Sequence, residues 1–207
     1  VARACGAGET FEKIAAFGER RNGLVIHPYM AIEPTWELAR RLEEDGVDAQ
    51  VLGPPPPVLW LANDKSSLAR IIDQLVDTRW KVETHIENSA EDMAKRLREL
   101  ASRHDRVALK RTRCASAMGN IVFESDAVVR RTPGEIRDRV EAFLDKTEWE
   151  EGENVLAVEW AENRHSPSTQ LWLPPAGMGP PRLDGVYEQL LKGEERIFVG
   201  SQPSTLP

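Results

Sequence analysis

The stretch VALKRTRCASAMGNIVF, Val107–Phe123, decides the fold, because two short apolar runs flank a loop of small residues. Each run has the length and composition of a β-strand. The first run ends at Lys110, and the loop contains Ser116 and Gly119. The pattern predicts a hairpin with a cation at a strand end beside a flexible loop, which favours binding of a polyphosphate. A solvated lysine at the rim of a sheet is the alternative interpretation.

Composition excludes several classes of protein. The chain has 207 residues, 41% of them apolar, and a formal charge of -7, so one substantial core or two modest ones can form. The acidic balance and the interspersed basic residues argue against nucleic acid. No apolar run is long enough to cross a membrane and no signal peptide opens the chain, so we expect no membrane partner. Cys5 and Cys114 lie far apart and form neither a zinc nor a disulfide pattern, which indicates a reducing cytoplasm.

Periodicity and breakers predict the order of elements. The first part should contain these elements: a helix near Thr10–Glu19, a strand Leu24–Ile26, a helix capped by Thr35 and a strand Ala49–Leu52. The proline run Pro54–Pro57 predicts a stiff loop. The rest should contain a helix opened by Asn63-Asp64-Lys65, a strand Trp80–His85, a helix Ser89–Ser102, the hairpin and a helix from Pro133. After these come a strand Asn154–Trp160 with Thr169–Leu173 as its antiparallel neighbour, a further element at Val186–Leu191 and a strand Ile197–Val199. The predicted fold class is therefore α/β and α+β, a small parallel layer followed by a mixed part.

The familiar nucleotide and hydrolase motifs are missing from this sequence. No segment matches the P-loop pattern GxxxxGKS/T, and Gly6-Ala7-Gly8 does not continue into the dinucleotide fingerprint GxGxxG. There is no GxSxG nucleophile elbow. A nucleotide would therefore have to be bound by another architecture.

Five segments, taken in order, resemble the ATP-grasp superfamily. They are Leu52-Gly53-Pro54, Asn63-Asp64-Lys65, Leu109-Lys110-Arg111, Val158-Glu159-Trp160 and Ser166-Pro167-Ser168-Thr169-Gln170. Within the superfamily the chain is most similar to carboxylate–amine ligases of the pheganomycin-type peptide-ligase kind, from about Leu24 onward. The resemblance implies a pre-ATP-grasp layer over residues 1–62 and an ATP-grasp nucleotide-binding domain over residues 63–207, with an incomplete C-terminal lobe.

The resemblance implies phosphate contacts for both lysines, Lys65 and Lys110. Two separated ammonium groups suit a polyphosphate, whose charge is spread over several oxygens. The loop residues Ser116, Gly119 and Asn120 would cover the phosphates with backbone N–H groups. The sequence departs from the family at Ala117-Met118, where a glycine-rich pair is common.

The resemblance also implies an adenine site and a substrate site. Glu159, Trp160 and Ala161 match the hinge whose backbone reads the adenine edge; the alternative is a plain core strand, which would leave an acidic side chain in an apolar run without a purpose. Ser168 and Gln170 match positions beside the acceptor substrate, and a turn leading into a strand is the alternative.

The resemblance further implies an ATP-dependent carboxylate–amine ligase that forms an acyl phosphate from small-molecule carboxylate and amine substrates. We identify no catalytic side chain, because positioning and charge stabilisation suffice for such chemistry. Mg²⁺ is expected, with ligands outside this chain, so we expect a fragment without turnover on its own, and a homo-oligomer is possible. Two alternatives are a non-catalytic ATP-grasp-like binding or scaffolding domain and an interaction module without nucleotide.

Overall fold

Two compact units make up the chain, Val1–Leu68 and Ala69–Pro207. The computed structural model describes residues 2–114, 119–193 and 196–205. The division between the units falls within a helix, Lys65–Leu75, a few residues beyond the boundary at residues 62 and 63 that the sequence predicts. Each unit is described by itself.

The first unit contains a small parallel sheet. Its elements are α1 (Ala2–Cys5), α2 (Gly8–Arg20), β1 (Leu24–Ile26), α3 (Glu33–Glu44), β2 (Ala49–Val51) and α4 (Pro56–Asn63). Strands β1 and β2 pair in parallel, with Leu24 opposite Ala49. The apolar sides of α2 and α3 meet in a buried cluster that includes Phe11, Leu38 and Leu42. The predicted small parallel layer is therefore confirmed.

Two helix starts in this unit differ from the sequence prediction, both because of proline. Helix α3 begins at Glu33 with Pro34 in its first turn, so Thr35 lies inside the helix and is not its cap. The Pro54–Pro57 run is not all loop, because α4 begins at Pro56. The N–H groups in the first turn of a helix have no acceptor within the helix, so proline loses nothing by lacking one. The fixed φ angle of proline also suits a helix, so proline can occupy the first turn.

Helix α5, Lys65–Leu75, begins where the sequence predicts. Its cap is the carboxylate of Asp64, which is only 8% exposed. Asp64 Oδ1 accepts hydrogen bonds from the Ser66 N–H at 3.0 Å, the Ser66 hydroxyl at 2.6 Å and the Ser67 N–H at 3.0 Å. These bonds satisfy donors of the first turn and hold Lys65 at the helix N-terminus.

The described residues of the second unit form two antiparallel sheets with helices. The elements are β3 (Thr84–Glu87), α6 (Ala90–Ala101), β4 (Arg106–Arg111), β5 (Asn120–Glu124), α7 (Ser125–Val129), α8 (Pro133–Lys146), β6 (Val155–Glu159), β7 (Pro167–Trp172), β8 (Arg182–Lys192) and β9 (Ile197–Pro203). The strand orders are β3-β6-β4-β5 and β7-β8-β9. None of the described helices combines the length and apolar character needed to cross a bilayer.

The four-stranded sheet has one face covered by helices and one that carries a small apolar cluster. Val107, Leu109 and their neighbours pack against the buried sides of α6 and α8. Ala108, Leu156 and Val158 form the cluster on the opposite face. Because side chains alternate along a strand, Lys110 belongs to the same face as Ala108. We call this surface the Lys110 face.

Two strand predictions in this unit are wrong. The strand at 167–172 is not the antiparallel neighbour of β6, since β6 lies between β3 and β4 and β7 pairs with β8. Both edges of β6 are therefore occupied, which periodicity along one strand cannot show. The strand predicted at Trp80–His85 begins only at Thr84, because Trp80 ends a short 3₁₀ turn capped by Asp77.

Candidate functional site

The β4–β5 hairpin is confirmed and brings three predicted site residues to one end of the sheet. Lys110 lies opposite Asn120 in the antiparallel ladder. The Arg111 N–H donates to the Gly119 carbonyl at 2.7 Å, which closes the base of the loop. Ser116 lies outside the described residues.

Lys110 and Trp160 lie side by side on the Lys110 face. The Lys110 Nζ is 4.8 Å from the centroid of the Trp160 ring, within cation–π range. Lys110 is near the end of β4 and Trp160 directly follows β6, and both are half-buried. The residues that the sequence predicts for the phosphates and for the base of a nucleotide are therefore neighbours.

The backbone of the predicted adenine hinge is partly committed to the sheet. The Glu159 N–H donates to the Glu83 carbonyl at 2.9 Å, and the Trp160 N–H donates to the Arg106 carbonyl at 2.9 Å. A donor already paired in a ladder cannot also read an adenine edge. Ala161 is the exposed residue of the three.

The Glu159 carboxylate has hydrogen-bonding and ionic partners within the protein. They explain why an acidic side chain lies in an apolar strand. Glu159 Oε2 accepts a hydrogen bond from the Glu83 N–H at 3.2 Å, and Oε1 lies 3.7 Å from His104 Nδ1. Glu159 is opposite Val107, on the helix-covered face. Its side chain therefore ties the ends of β6 and β3 together and does not join Lys110.

A polar cluster that the sequence does not reveal surrounds Glu83. Arg103 Nη2 donates to Glu83 Oε1 at 2.6 Å, and His104 Nε2 and His85 Nε2 lie 2.7 and 2.9 Å from the Glu83 oxygens. The hydrogen bond from Arg103, followed by those from His104 and His85, lowers the pKa of Glu83 to about 2. The donors come from two segments, β3 and the turn that follows α6, so spacing along the sequence carries no signal for the cluster.

This cluster predicts a pH-dependent loss of stability. Because the folded pKa of Glu83 is about 2, below the usual 4.5, its contribution is fully present above pH 4.5 and is lost as the pH falls towards 2. The side chain is 32% exposed, so solvent screening reduces the gain to about 1 kcal/mol. We expect Glu83→Gln to lower the free energy of unfolding by that amount at pH 7 and by less at pH 3, in urea melts. Glu151→Gln, an exposed control in the turn before β6, should cost little at either pH; an equal cost of Glu83→Gln at both would contradict the assignment.

Gly119 is required by packing at the base of the loop. A Cβ at this position would lie 2.4 Å from the Cys114 Cβ and 2.8 Å from the Arg111 Cβ. Neither atom is the far end of a flexible side chain, so the loop would have to move. We expect Gly119→Ala to destabilise the protein by about 1–3 kcal/mol in thermal melts. The matched control is Gly134→Ala, where a Cβ meets nothing within 4 Å; equal effects of the two changes would argue against this packing.

The remaining predicted site residues lie elsewhere. Lys65 belongs to the first unit and is half-buried at the start of α5. Ser168 pairs with Tyr187 and Gln170 with Gly185, so both lie in the three-stranded sheet, a different sheet from that of Lys110. The phosphate role of Lys65 and the substrate roles of Ser168 and Gln170 stay predictions.

The side chains on the Lys110 face are not those of a metal site. An ammonium group, an amide and an aromatic ring come from Lys110, Asn120 and Trp160. Within the described part of the chain, no three His, Cys, Asp or Glu side chains group in a way that could hold a metal ion. The residue set therefore does not fit Mg²⁺, which prefers carboxylate oxygens.

Comparison with known proteins establishes the fold. No family model matches the chain. No curated protein matches it either. A solved structure that does match is that of D-alanyl-alanine synthetase A from Vibrio cholerae O1 biovar eltor, with 15% sequence identity and a TM-score of 0.56. The match covers 82% of this chain but only 46% of that chain, so this chain spans less than half the length of the synthetase. At this identity the similarity shows the fold alone: the chain has a partial ATP-grasp fold, a small parallel layer followed by antiparallel sheets with helices.

Proposed function

We propose that this chain is the nucleotide-binding part of an ATP-dependent carboxylate–amine ligase. The observation that carries the proposal is the Lys110–Trp160 pair, with Asn120 across the ladder from Lys110. Support comes from the fold shared with a synthetase whose name describes the joining of two alanine units. The pheganomycin-type subgroup, the role of Lys65 and the cytoplasmic location stay predictions.

The chemistry of the three residues suits a triphosphate and a purine. ATP would supply the phosphoryl group that activates a carboxylate as an acyl phosphate. Lys110 would bind phosphate oxygens through charge-assisted hydrogen bonds, and the Asn120 amide can add a donor. The Trp160 ring and Ala161 would contact the base. The contribution of these residues is positioning and charge stabilisation, which need no side-chain nucleophile.

A second candidate is a binding or scaffolding domain that holds a nucleotide without turnover. It is favoured by the finding that the described residues contain no group suited to a metal ion. We therefore assign no step to Mg²⁺ in this chain. Both candidate functions require that the chain binds the nucleotide. They differ only in whether ATP is converted to ADP.

Calorimetric titration with a non-hydrolysable ATP analogue tests what the two candidates share. We expect a dissociation constant between about 1 μM and 1 mM, the usual range for substrate affinity. The absence of binding heat at several millimolar ATP analogue would contradict both candidate functions. Release of ADP from ATP and Mg²⁺ in the presence of mixed carboxylates and amines would then support the ligase, whereas binding without release would favour the second candidate.

A further inference from the structure

The backbone of Trp160 is held at the point where strand β6 ends. Glu159 is the last residue of β6, and the Trp160 N–H donates to the Arg106 carbonyl at 2.9 Å. The ends of strands open more readily than their middles, because fewer hydrogen bonds hold them. The position of the Trp160 ring beside Lys110 therefore depends on the contacts that keep the end of β6 in the sheet.

Glu159 and Glu83 hold this end of β6 through two reciprocal hydrogen bonds. The Glu159 N–H donates to the Glu83 carbonyl at 2.9 Å, and the Glu83 N–H donates to the Glu159 carboxylate at 3.2 Å. The pairing brings two carboxylates into one neighbourhood. Like charges repel each other, so a cation between them stabilises the arrangement.

His104 lies between these two carboxylates. Its Nε2 is 2.7 Å from Glu83 Oε2, and its Nδ1 is 3.7 Å from Glu159 Oε1. The residue belongs to the turn that follows α6, two positions before Arg106, and its side chain is 21% exposed. One short stretch of chain therefore supports the Trp160 segment twice, through the Arg106 carbonyl and through the His104 ring.

The charge of the His104 ring decides whether both carboxylates are stabilised. An imidazolium carries a proton on each ring nitrogen, whereas a neutral imidazole carries one proton and has a lone pair on the other nitrogen. The short contact with Glu83 favours Nε2 as the site of that single proton, so Nδ1 of the neutral ring presents its lone pair to Glu159. Loss of the ring charge therefore weakens the contact with Glu159.

The neighbouring elements contribute the other charged and titratable groups around this contact: Glu83 and His85 at β3, Glu159 on β6, Arg103 in the same turn and Arg96 on α6. Glu83 has a pKa of about 2 and stays ionised above pH 5. The two arginines stay protonated at every pH considered. His85 contacts Glu83 Oε1 at 2.9 Å, so it offers a second histidine that lacks the bridging geometry.

We propose that charged His104 is a positioning residue for Trp160, because it bridges Glu83 and Glu159 and keeps the end of β6 in the sheet. Histidine changes charge between about pH 5 and 8, so the Trp160 segment is held more firmly at pH 5.5 than at pH 7.5. A nucleotide that binds to a segment already in place loses less free energy to ordering it. The effect on nucleotide affinity rests on the proposed function, whereas the effect on the strand end does not.

Amide hydrogen exchange of the chain without nucleotide tests the strand end directly. After correction for the intrinsic exchange rate, the N–H groups of Glu159 and Trp160 should lose about three- to tenfold of their protection from pH 5.5 to pH 7.5, a usual size for coupling between residues in contact. His104→Gln keeps one donor for Glu83 but has no charge, so it should show the lower protection at both pH values. The N–H of Leu109, buried in the middle of β4, is the internal reference and should change in neither protein.

Two outcomes of the exchange experiment would overturn the proposal. The first is a protection of Glu159 and Trp160 in the wild type that is the same at both pH values, or that changes equally in His104→Gln. The second is an equal loss at Leu109, which would mean that His104 supports the whole sheet and has no particular role at the end of β6.

Calorimetric titration with the non-hydrolysable ATP analogue at the same two pH values tests the consequence for binding. The phosphates of the analogue titrate alike whichever protein is present, so dissociation constants are compared between proteins at each pH. His104→Gln should bind about three- to tenfold more weakly than the wild type at pH 5.5 and within about twofold of it at pH 7.5.

His85→Gln is the matched control, since it removes a histidine from the same cluster without removing a contact to Glu159. It should keep the wild-type pH dependence of both exchange and affinity. A wild-type pH dependence of affinity in His104→Gln would overturn the positioning role. A wild type that binds no analogue would instead contradict the proposed function, and the exchange data would then decide the role of His104.

Discussion

Replacement of Lys110 by Ala is expected to weaken binding of a non-hydrolysable ATP analogue by about 10- to 100-fold. A hydrogen bond to a charged group contributes about 1.5–3 kcal/mol, which corresponds to that range. Lys110 is held at the end of β4 over the Trp160 ring, so the wild-type ammonium is already positioned and loses little side-chain entropy on binding. Calorimetry on both proteins provides the measurement, and a shift in tryptophan emission on binding should be smaller in the variant.

Lys95→Ala is the matched control for this prediction. Lys95 is exposed on α6, so its removal takes away one positive charge of the same unit without touching the Lys110 face. It should bind the analogue within about twofold of the wild type, because a distant exposed charge is screened by salt. Equal affinity of the wild type and Lys110→Ala, with both folded, would remove the basis of the nucleotide proposal.

Arg111→Met is expected to cause the largest loss of stability, about 2–4 kcal/mol. Arg111 is the next residue along β4 and is only 8% exposed. Its Nη1 donates to the Thr147 carbonyl at 2.7 Å and to the Thr147 hydroxyl at 3.0 Å, and its Nη2 donates to Glu153 Oε2 at 2.6 Å. Glu153 is 44% exposed and keeps a hydrogen bond from the Glu150 N–H, so the loss comes mainly from the charge-assisted donors that Arg111 gives to the Thr147 oxygens. Hydrogen bonds to charged groups contribute about 1.5–3 kcal/mol.

Thermal unfolding provides the measurement, with an expected fall of about 4–16 °C for a chain of this length. Arg111→Lys restores the charge but not the fork of donors, so it should recover only part of the loss. Arg70→Met, an exposed position on α5, is the control and should shift the melting temperature little. A similar small shift for Arg111→Met would mean that the hairpin is not anchored to the end of α8 by this side chain.

Local features of the sequence account for much of the fold. The hairpin follows from two apolar runs around small residues, and α5 follows from Asp64, whose side chain caps the helix within three residues of itself. The parallel pairing of β1 and β2 follows from two strands separated by a helix. All of these depend on residues close together in the chain, so periodicity and capping rules can detect them. The same rules predicted the starts of α3 and α4 wrongly, at Pro34 and Pro56. Proline occurs both in the first turn of a helix and in a stiff loop, so its presence does not distinguish the two.

The sequence by itself determined the kinds of element, the hairpin that carries Lys110 and Asn120, and the character of the chain as a mixed helix and sheet protein. Only the tertiary structure decided which strand lies beside which, and therefore that β6 is central and that Lys110 meets Trp160, 50 positions further along the chain. It alone also decided that Glu159 is paired with the Glu83 cluster. The reason is physical: strand order and the pairing of buried charges are set by contacts between residues far apart in sequence, and a one-dimensional pattern holds no record of those distances.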